Sequence, residues 1–136
     1  MDDGFGFTEI EHMADWALRV WAPDMGQLFS QAAAGMYWLM GTVLADGPEV
    51  ERKIELNAID AEALLVSFLS ELLYLGESDG LGFNHLPVVI QGSHLVVTAR
   101  GAPIAAQKKE IKAVTYHNLV IQPRENGYQT TIVFDV

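Results

Sequence analysis

The alternation of apolar and polar residues predicts two strands near the start of the chain. Residues 5–10 alternate loosely, with Phe5, Phe7 and Ile10 as their large apolar members, and residues 16–21 form a second alternating run. Such alternation over several residues is typical of a half-buried strand. The polar segment Glu11-His12-Met13-Ala14-Asp15 lies between the two runs and contains three ionisable side chains.

Apolar spacing changes to a helical period in two later segments. Asp24, with Gln27 three residues after it, predicts the N-terminus of a first helix that stops at Gly41. Asp60 predicts the start of a second helix, which we expect to end near Gly76. The apolar stripe consists of Leu28, Phe29, Ala32, Met36, Leu39 and Met40 in the first helix, and of Leu64, Leu65, Phe68, Leu69, Leu72 and Leu73 in the second.

The remaining apolar runs predict further strands. They cover residues 50–56, 83–90, 93–100, 111–122 and 128–136, with a hairpin turn at Glu125-Asn126-Gly127. Pro87 interrupts the second of these runs, which we therefore place at a sheet edge. Two helices among many strands favour an α+β fold: a two-layer sandwich of mostly antiparallel sheet with two main helices, in one domain over residues 1–136.

Composition restricts the possible functions. The chain has no cysteine, which excludes disulfide scaffolds, thiol catalysis and thiolate metal sites. Eighteen carboxylates against eight Lys plus Arg give a net charge of −10, which disfavours stable binding to a nucleic acid and suits hard cations or a basic protein partner. The acidic start Met1-Asp2-Asp3 is unlike a signal peptide, and the longest apolar stretch, at residues 32–45, is too short to span a bilayer. We expect a cytoplasmic protein that does not contact the membrane.

Carboxylates at two distant positions are the first candidates for chemistry. Asp15 follows the first predicted strand, and Asp135 precedes Val136, whose main-chain oxygens include the α-carboxylate. If the last strand pairs near the Asp15 turn, these groups supply the converging oxygens that calcium, magnesium or manganese requires. The structural alternative is a turn in which Asp15 caps backbone amides, together with an inert strand end.

A second candidate is the run from Glu110 to His117. Alternation there assigns Lys112, Val114 and Tyr116 to one face of the strand, and Ile111, Ala113, Thr115 and His117 to the other. Lys112 either reaches past the core edge toward a partner or extends its stem along the core to solvent. Phosphate loops, nucleophile elbows and His-Glu-x-x-His helices are absent, and Trp38 is interpreted as a packing residue because of its helical spacing.

These segments, in this order, resemble the archease family. The resemblance covers nearly the whole chain, and its most specific parts are the Lys-Ala-Val-Thr-Tyr-His run from Lys112 and the Phe-Asp-Val ending. Archeases assist the RtcB-type tRNA-splicing ligase, which uses GTP and divalent metal. The resemblance implies a non-enzymatic activator that promotes guanylylation and multiple turnover of that ligase.

The resemblance also implies roles for individual residues. A divalent metal ion (calcium, magnesium or manganese) is expected on Asp15, Asp135 and Val136, and the activation residues are expected to be His12, Lys112 and His117. Two other functions stay open. One is a metal-dependent phosphoester hydrolase with His12 or His117 as base, and the other is a chaperone-like module that binds apolar clients.

Overall fold

The computed structural model describes residues 4–10 and 16–136, and the secondary structure below refers to these residues. They contain two helices and ten strands, and all of the strand pairings are antiparallel. The elements are β1 (Gly6–Glu9), β2 (Trp16–Ala22), α1 (Met25–Met40), β3 (Val43–Leu44), β4 (Val50–Asn57), α2 (Ala61–Asp79), β5 (Leu81–His85), β6 (Val89–Gln91), β7 (His94–Ala106), β8 (Ala113–Val114), β9 (Gln122–Arg124) and β10 (Gly127–Asp135). The predicted α+β class with two main helices and antiparallel sheet is confirmed.

The first sheet pairs strands from the N-terminal part of the chain with the last strand, β10. Its order is β1-β2-β10-β8, and β9 also pairs with β10. In this sheet Leu18 lies opposite Ile132, and both side chains are fully buried. The predicted hairpin at residues 125–127 is confirmed, because β9 and β10 pair directly on either side of it.

The second sheet is organised around the long strand β7. Strands β4 and β6 both pair with residues 94–96, so they must lie on opposite sides of β7. The strand predicted over residues 83–90 is in fact two strands, β5 and β6. Pro87 lies in the break between them, since it has no N–H to donate to a ladder. Strand β7 also continues six residues past the predicted end at residue 100.

Both helices begin at the predicted capping residues. The Asp24 carboxylate accepts a hydrogen bond from the Gln27 amide, and the Asp60 carboxylate accepts one from the Ala63 amide, each at 2.8 Å. Helix α1 ends at Gly41 as predicted, but α2 continues past Gly76 to a left-handed cap at Gly80. Neither helix is sufficiently long and apolar to cross a bilayer.

The core lies where the two helices meet the sheets. Helix α1 packs mainly on β2 and α2 mainly on β5, while the rings of Phe29 and Phe68 contact each other between the helices with centroids 5.9 Å apart. Trp38, interpreted as a packing residue, is not part of the core, because 59% of its surface is exposed. Its indole instead lies at the surface against Phe7, with ring centroids 5.9 Å apart.

The strand predicted over residues 111–122 is the largest error of the sequence analysis. Strand β8 pairs with the end of β10, and strand β9 pairs with the beginning of β10. Between β8 and β9 the strand pairing with β10 is interrupted. A turn at residues 116–119 causes the break, with Asn118 at φ 51° and the Leu119 amide bonded to the Tyr116 carbonyl at 3.1 Å. The buried residues are consequently spaced irregularly and do not alternate: Ile111, Val114 and Leu119.

Loss of the α2 cap is expected to destabilise the fold measurably. In Asp60→Ala the Ala63 amide loses its acceptor, so the free energy of unfolding should fall by about 1 kcal/mol. In Asp60→Ser the hydroxyl can accept the same hydrogen bond, so most of the stability of the cap should be retained. Urea denaturation followed by circular dichroism measures both variants. Equal stability of Asp60→Ala and the parent would contradict the role assigned to this cap.

Candidate metal and partner site

The end of β10 brings two of the predicted functional segments together. Phe134 lies between Trp16 of β2 and Val114 of β8, and its side chain is completely buried. This buried anchor fixes the position of the next residue, Asp135, which pairs with Ala113 and is exposed. The strand therefore presents a carboxylate to solvent on a rigid backbone.

Lys112 is attached to the same strand end through its main chain. Its amide donates a hydrogen bond of 2.8 Å to the Asp135 carbonyl, and the Thr115 amide donates one of 3.0 Å to the Val133 carbonyl. The Lys112 side chain is exposed. The predicted sharing of one face by Lys112 and Val114 is wrong, because Val114 is buried and β8 is only two residues long.

A second lysine, which the sequence analysis did not single out, approaches this strand end. The Lys109 ammonium lies 4.8 Å from the centroid of the Trp16 ring, a distance typical of a cation–π contact. The amides of Lys108 and Lys109 both bond to the Met40 carbonyl at the end of α1, which holds the loop in place. The concentration of three lysines in five residues of an acidic chain is the signal that could have indicated this region.

His117 belongs to a different local environment. It lies in the turn after β8, where its amide donates to Thr115 Oγ1 at 3.2 Å and its Nε2 is 3.3 Å from Asn118 Nδ2. Since β8 runs antiparallel to β10, the chain moves away from Asp135 as it continues from Ala113 toward His117. The structure thus joins Lys112 to Asp135 by a hydrogen bond but provides no such link for His117.

His12 and Asp15 lie outside the described residues, so their predicted roles stay predictions. Within residues 4–10 and 16–136, no group of three or more His, Cys, Asp or Glu side chains is arranged to hold a metal ion. Trp16, the residue after Asp15, pairs with Phe134, the residue before Asp135.

The groups at the β10 end fit a hard divalent cation in their chemistry. The Asp135 carboxylate is exposed, and no hydrogen bond or ion pair to another described residue engages its oxygens. Val136, 44% exposed, adds main-chain oxygen directly after it. Carboxylate and main-chain oxygens are the donors that calcium and magnesium prefer, and neither group needs to break a contact with a described residue to bind.

Comparison with known proteins gives a consistent set of relatives. Residues 7–136 match the profile of the Archease protein family. The chain is 34% identical to the protein archease of Thermococcus kodakarensis, over 89% of this chain and 91% of that one. It is also 34% identical to the protein archease of Methanopyrus kandleri, over 96% of this chain and 99% of that one.

Solved structures agree with this fold. The crystal structure of an archease from Thermotoga maritima, described as a possible chaperone, superposes with a TM-score of 0.70 at 28% identity and covers 95% of this chain and 96% of its own. The solution structure of Methanobacterium thermoautotrophicum protein 1598 has a TM-score of 0.67 at 23% identity, covering 98% and 99% of the two chains, which shows likeness of fold alone.

Proposed function

Because this chain belongs to the archease family, we propose that it is a non-catalytic, metal-binding activator of a GTP-dependent RtcB-type tRNA-splicing ligase. In this role it promotes guanylylation of the ligase and multiple rounds of RNA joining. The proposal includes a cytoplasmic location, where such a ligase meets its RNA.

The observation that carries this proposal is the hydrogen bond from the Lys112 amide to the Asp135 carbonyl. It connects the most specific motif of the resemblance to the carboxylate expected to bind metal. The backbones of the two residues are in contact, so a cation on one side chain and a metal ion on the other can act on the same phosphate-bearing group. A remote placement of Lys112 would have separated the two roles.

The metal ion is proposed to bind Asp15, Asp135 and the main-chain oxygen of Val136. Asp15 precedes Trp16 in the sequence, and Trp16 pairs with Phe134, the residue before Asp135, which supports the proposal of a shared ion. When bound, the ion would supply positive charge that stabilises nucleotide phosphates. Lys112 and Lys109 would add further positive charge at that end, in a chain whose net charge is −10.

The charge distribution favours a protein partner over RNA. A phosphate backbone is held by a basic surface, and its binding releases counterions, whereas this chain carries more than twice as many carboxylates as basic side chains. A ligase that binds RNA needs a basic surface of its own, so opposite charges would speed the encounter of the two proteins. Direct and salt-resistant binding of this chain to RNA is not part of the proposed function.

A chaperone-like function is the second candidate, and one observation favours it. Trp38 is 59% exposed and lies against Phe7, and large aromatic side chains at a surface are common in protein-binding sites. In this case the protein would suppress aggregation of unrelated apolar clients. The effect would not need GTP or the ligase, and Trp38→Ala would abolish it.

A guanylylation assay tests the activator function directly. The ligase of the same organism is mixed with labelled GTP and manganese, with and without this chain at a tenth of the ligase concentration. We expect the chain to raise the guanylylated fraction of the ligase and the number of ligation cycles. Alone with GTP and broken RNA, it should form neither a protein–GMP adduct nor joined RNA.

Four results would contradict this function. Failure to stimulate guanylylation at any ratio would exclude the activator. A GMP adduct on this chain in the absence of the ligase would make it an enzyme, as would steady hydrolysis of phosphoesters by the purified protein. Suppression of client aggregation without any effect on the ligase would favour the chaperone-like alternative.

A further inference from the structure

A cleft lies beside the Lys112 segment, between the C-terminal half of α2 and the chain that follows β7. It has a volume of about 470 Å³, within the range of pockets that accept a ligand or an anchoring side chain. Its apolar lining comes from α1, α2, β7 and the loop before β8: Met40, Leu72, Leu73, Ile104 and Ile111. The cleft is continuous along the chain with the proposed activation site, since Ile111 immediately precedes Lys112.

Among the residues that the structure describes, the charged ones that line the cleft are two carboxylates. Glu77 projects from α2 and Glu110 from the loop before β8, and both are exposed. Neither forms an ion pair or a hydrogen bond with another described residue. Two neighbouring lysines contact other parts of the chain, since Lys109 lies over Trp16 and the stem of Lys108 lies against Gly41. Within the described part of the chain, the cleft therefore combines an apolar floor with a rim of two carboxylates that form no ion pair.

Gly76 contributes to the open space of the cleft. It lies inside α2 with an ordinary helical backbone, where glycine is less favourable than alanine. A Cβ there would meet its two nearest atoms, Ile104 Cδ1 and the Leu81 carbonyl oxygen, at 3.6 Å, which is normal van der Waals contact. The internal packing of the described residues therefore does not require glycine at this position, and the missing side chain leaves room in the cleft.

From these features we infer that the cleft is a docking site for a basic, partly apolar segment of the ligase. An arginine or lysine of that segment lies between Glu77 and Glu110, and its aliphatic stem or an apolar neighbour covers Gly76. Nucleic acid does not suit this cleft, because carboxylates repel phosphates. This inference rests on the proposed function and adds to it the surface by which the activator is held.

Two kinds of variant test the inference. Glu77→Gln/Glu110→Gln removes the negative rim and leaves the shape of the cleft, whereas Gly76→Leu fills the space above the helix. Gly76→Ala is a milder version that should fold at least as stably as the parent. The matched control is Asp46→Asn/Glu125→Gln, which makes the same change in net charge at exposed turns outside the cleft.

Binding is measured by titration calorimetry with the purified ligase of the same organism at low and high salt. We expect the double glutamine variant and Gly76→Leu each to bind about tenfold more weakly at low salt, and the double glutamine variant to lose much of its salt dependence. The control pair should bind like the parent. Melting temperatures show that each variant is folded, and full stimulation should return at high concentration of the double glutamine variant.

The outcomes separate this inference from the proposed function. If the parent chain stimulates the ligase but the cleft variants bind as tightly as the parent, the cleft inference is wrong and the activator function stands. The same conclusion follows if the control pair weakens binding equally. If the parent neither binds nor stimulates the ligase, the activator function itself fails. If sedimentation shows that Gly76→Leu dissociates a dimer of the free chain, a second copy is the occupant and the inference is overturned.

Discussion

Asp135→Asn is expected to abolish specific binding of a divalent cation. The substitution preserves the size of the side chain and the main-chain pairing with Ala113, but it removes a negative oxygen donor from a site with few ligands. Substitution of residues that only orient metal ligands weakens metal binding by about 10–100-fold. Removal of a ligand's own charge should therefore weaken metal binding by more than about 100-fold. Asp15→Asn should behave in the same way.

Calorimetric titration of calcium and manganese into the metal-free protein measures this effect. Glu125→Gln is the matched control, since it removes an exposed carboxylate in the β9–β10 turn. It should bind metal like the parent chain. If both aspartate variants retained the parent affinity, Asp15 and Asp135 would not share an ion, and the metal site would have to be elsewhere.

Lys112→Ala is expected to reduce stimulation of the ligase to the level of the ligase alone. The substitution removes an exposed ammonium but keeps the amide that bonds to the Asp135 carbonyl. The strand end should therefore stay intact, and the melting temperature should remain within about 3 °C of the parent, as for most surface substitutions. Metal binding should also remain, so the effect of losing the lysine ammonium can be distinguished from the effect of losing the metal ion.

Lys53→Ala is a suitable control for this experiment. Lys53 is likewise exposed on a strand, opposite Thr98, and lies outside the proposed site. Its replacement should leave stimulation unchanged. A large fall in melting temperature of Lys112→Ala with stimulation retained would show instead that the lysine stem covers the core edge, which is the structural alternative.

Local signals were sufficient where neighbouring residues decide the structure. Asp24, Gly41 and Asp60 were predicted as helix boundaries because capping involves side chains and amides within one turn. The hairpin at residues 125–127 depends equally on adjacent residues. The end of α2 was placed too early because Gly76 can remain helical, and the left-handed cap falls instead on Gly80.

Alternation failed at residues 111–122 because burial there depends on distant elements. Ile111 and Val114 are buried beside α2 and β10, while the turn at Asn118 moves the chain off the edge of β10 before β9 rejoins it. The signal that could have revealed the interruption is Asn118, because asparagine is disfavoured in strands and tolerates the left-handed backbone of this turn. Helical spacing likewise could not show how far Trp38 is buried: it packs against Phe7 of β1 but stays 59% exposed.

For this protein, the sequence by itself determined the α+β class, the helix N-termini, the acidic character and the candidate residues of the proposed metal and activation site. It also carried the resemblance on which the family was suggested, because Lys112 to His117 and the Phe-Asp-Val ending are contiguous motifs. The tertiary structure alone decided that Lys112 meets Asp135, that Lys109 lies over Trp16 and that Glu77 and Glu110 line one cleft. The residues of each pair are 23 to 93 positions apart in the chain. Strand register and helix packing bring such distant residues together, and local periodicity carries no information about them.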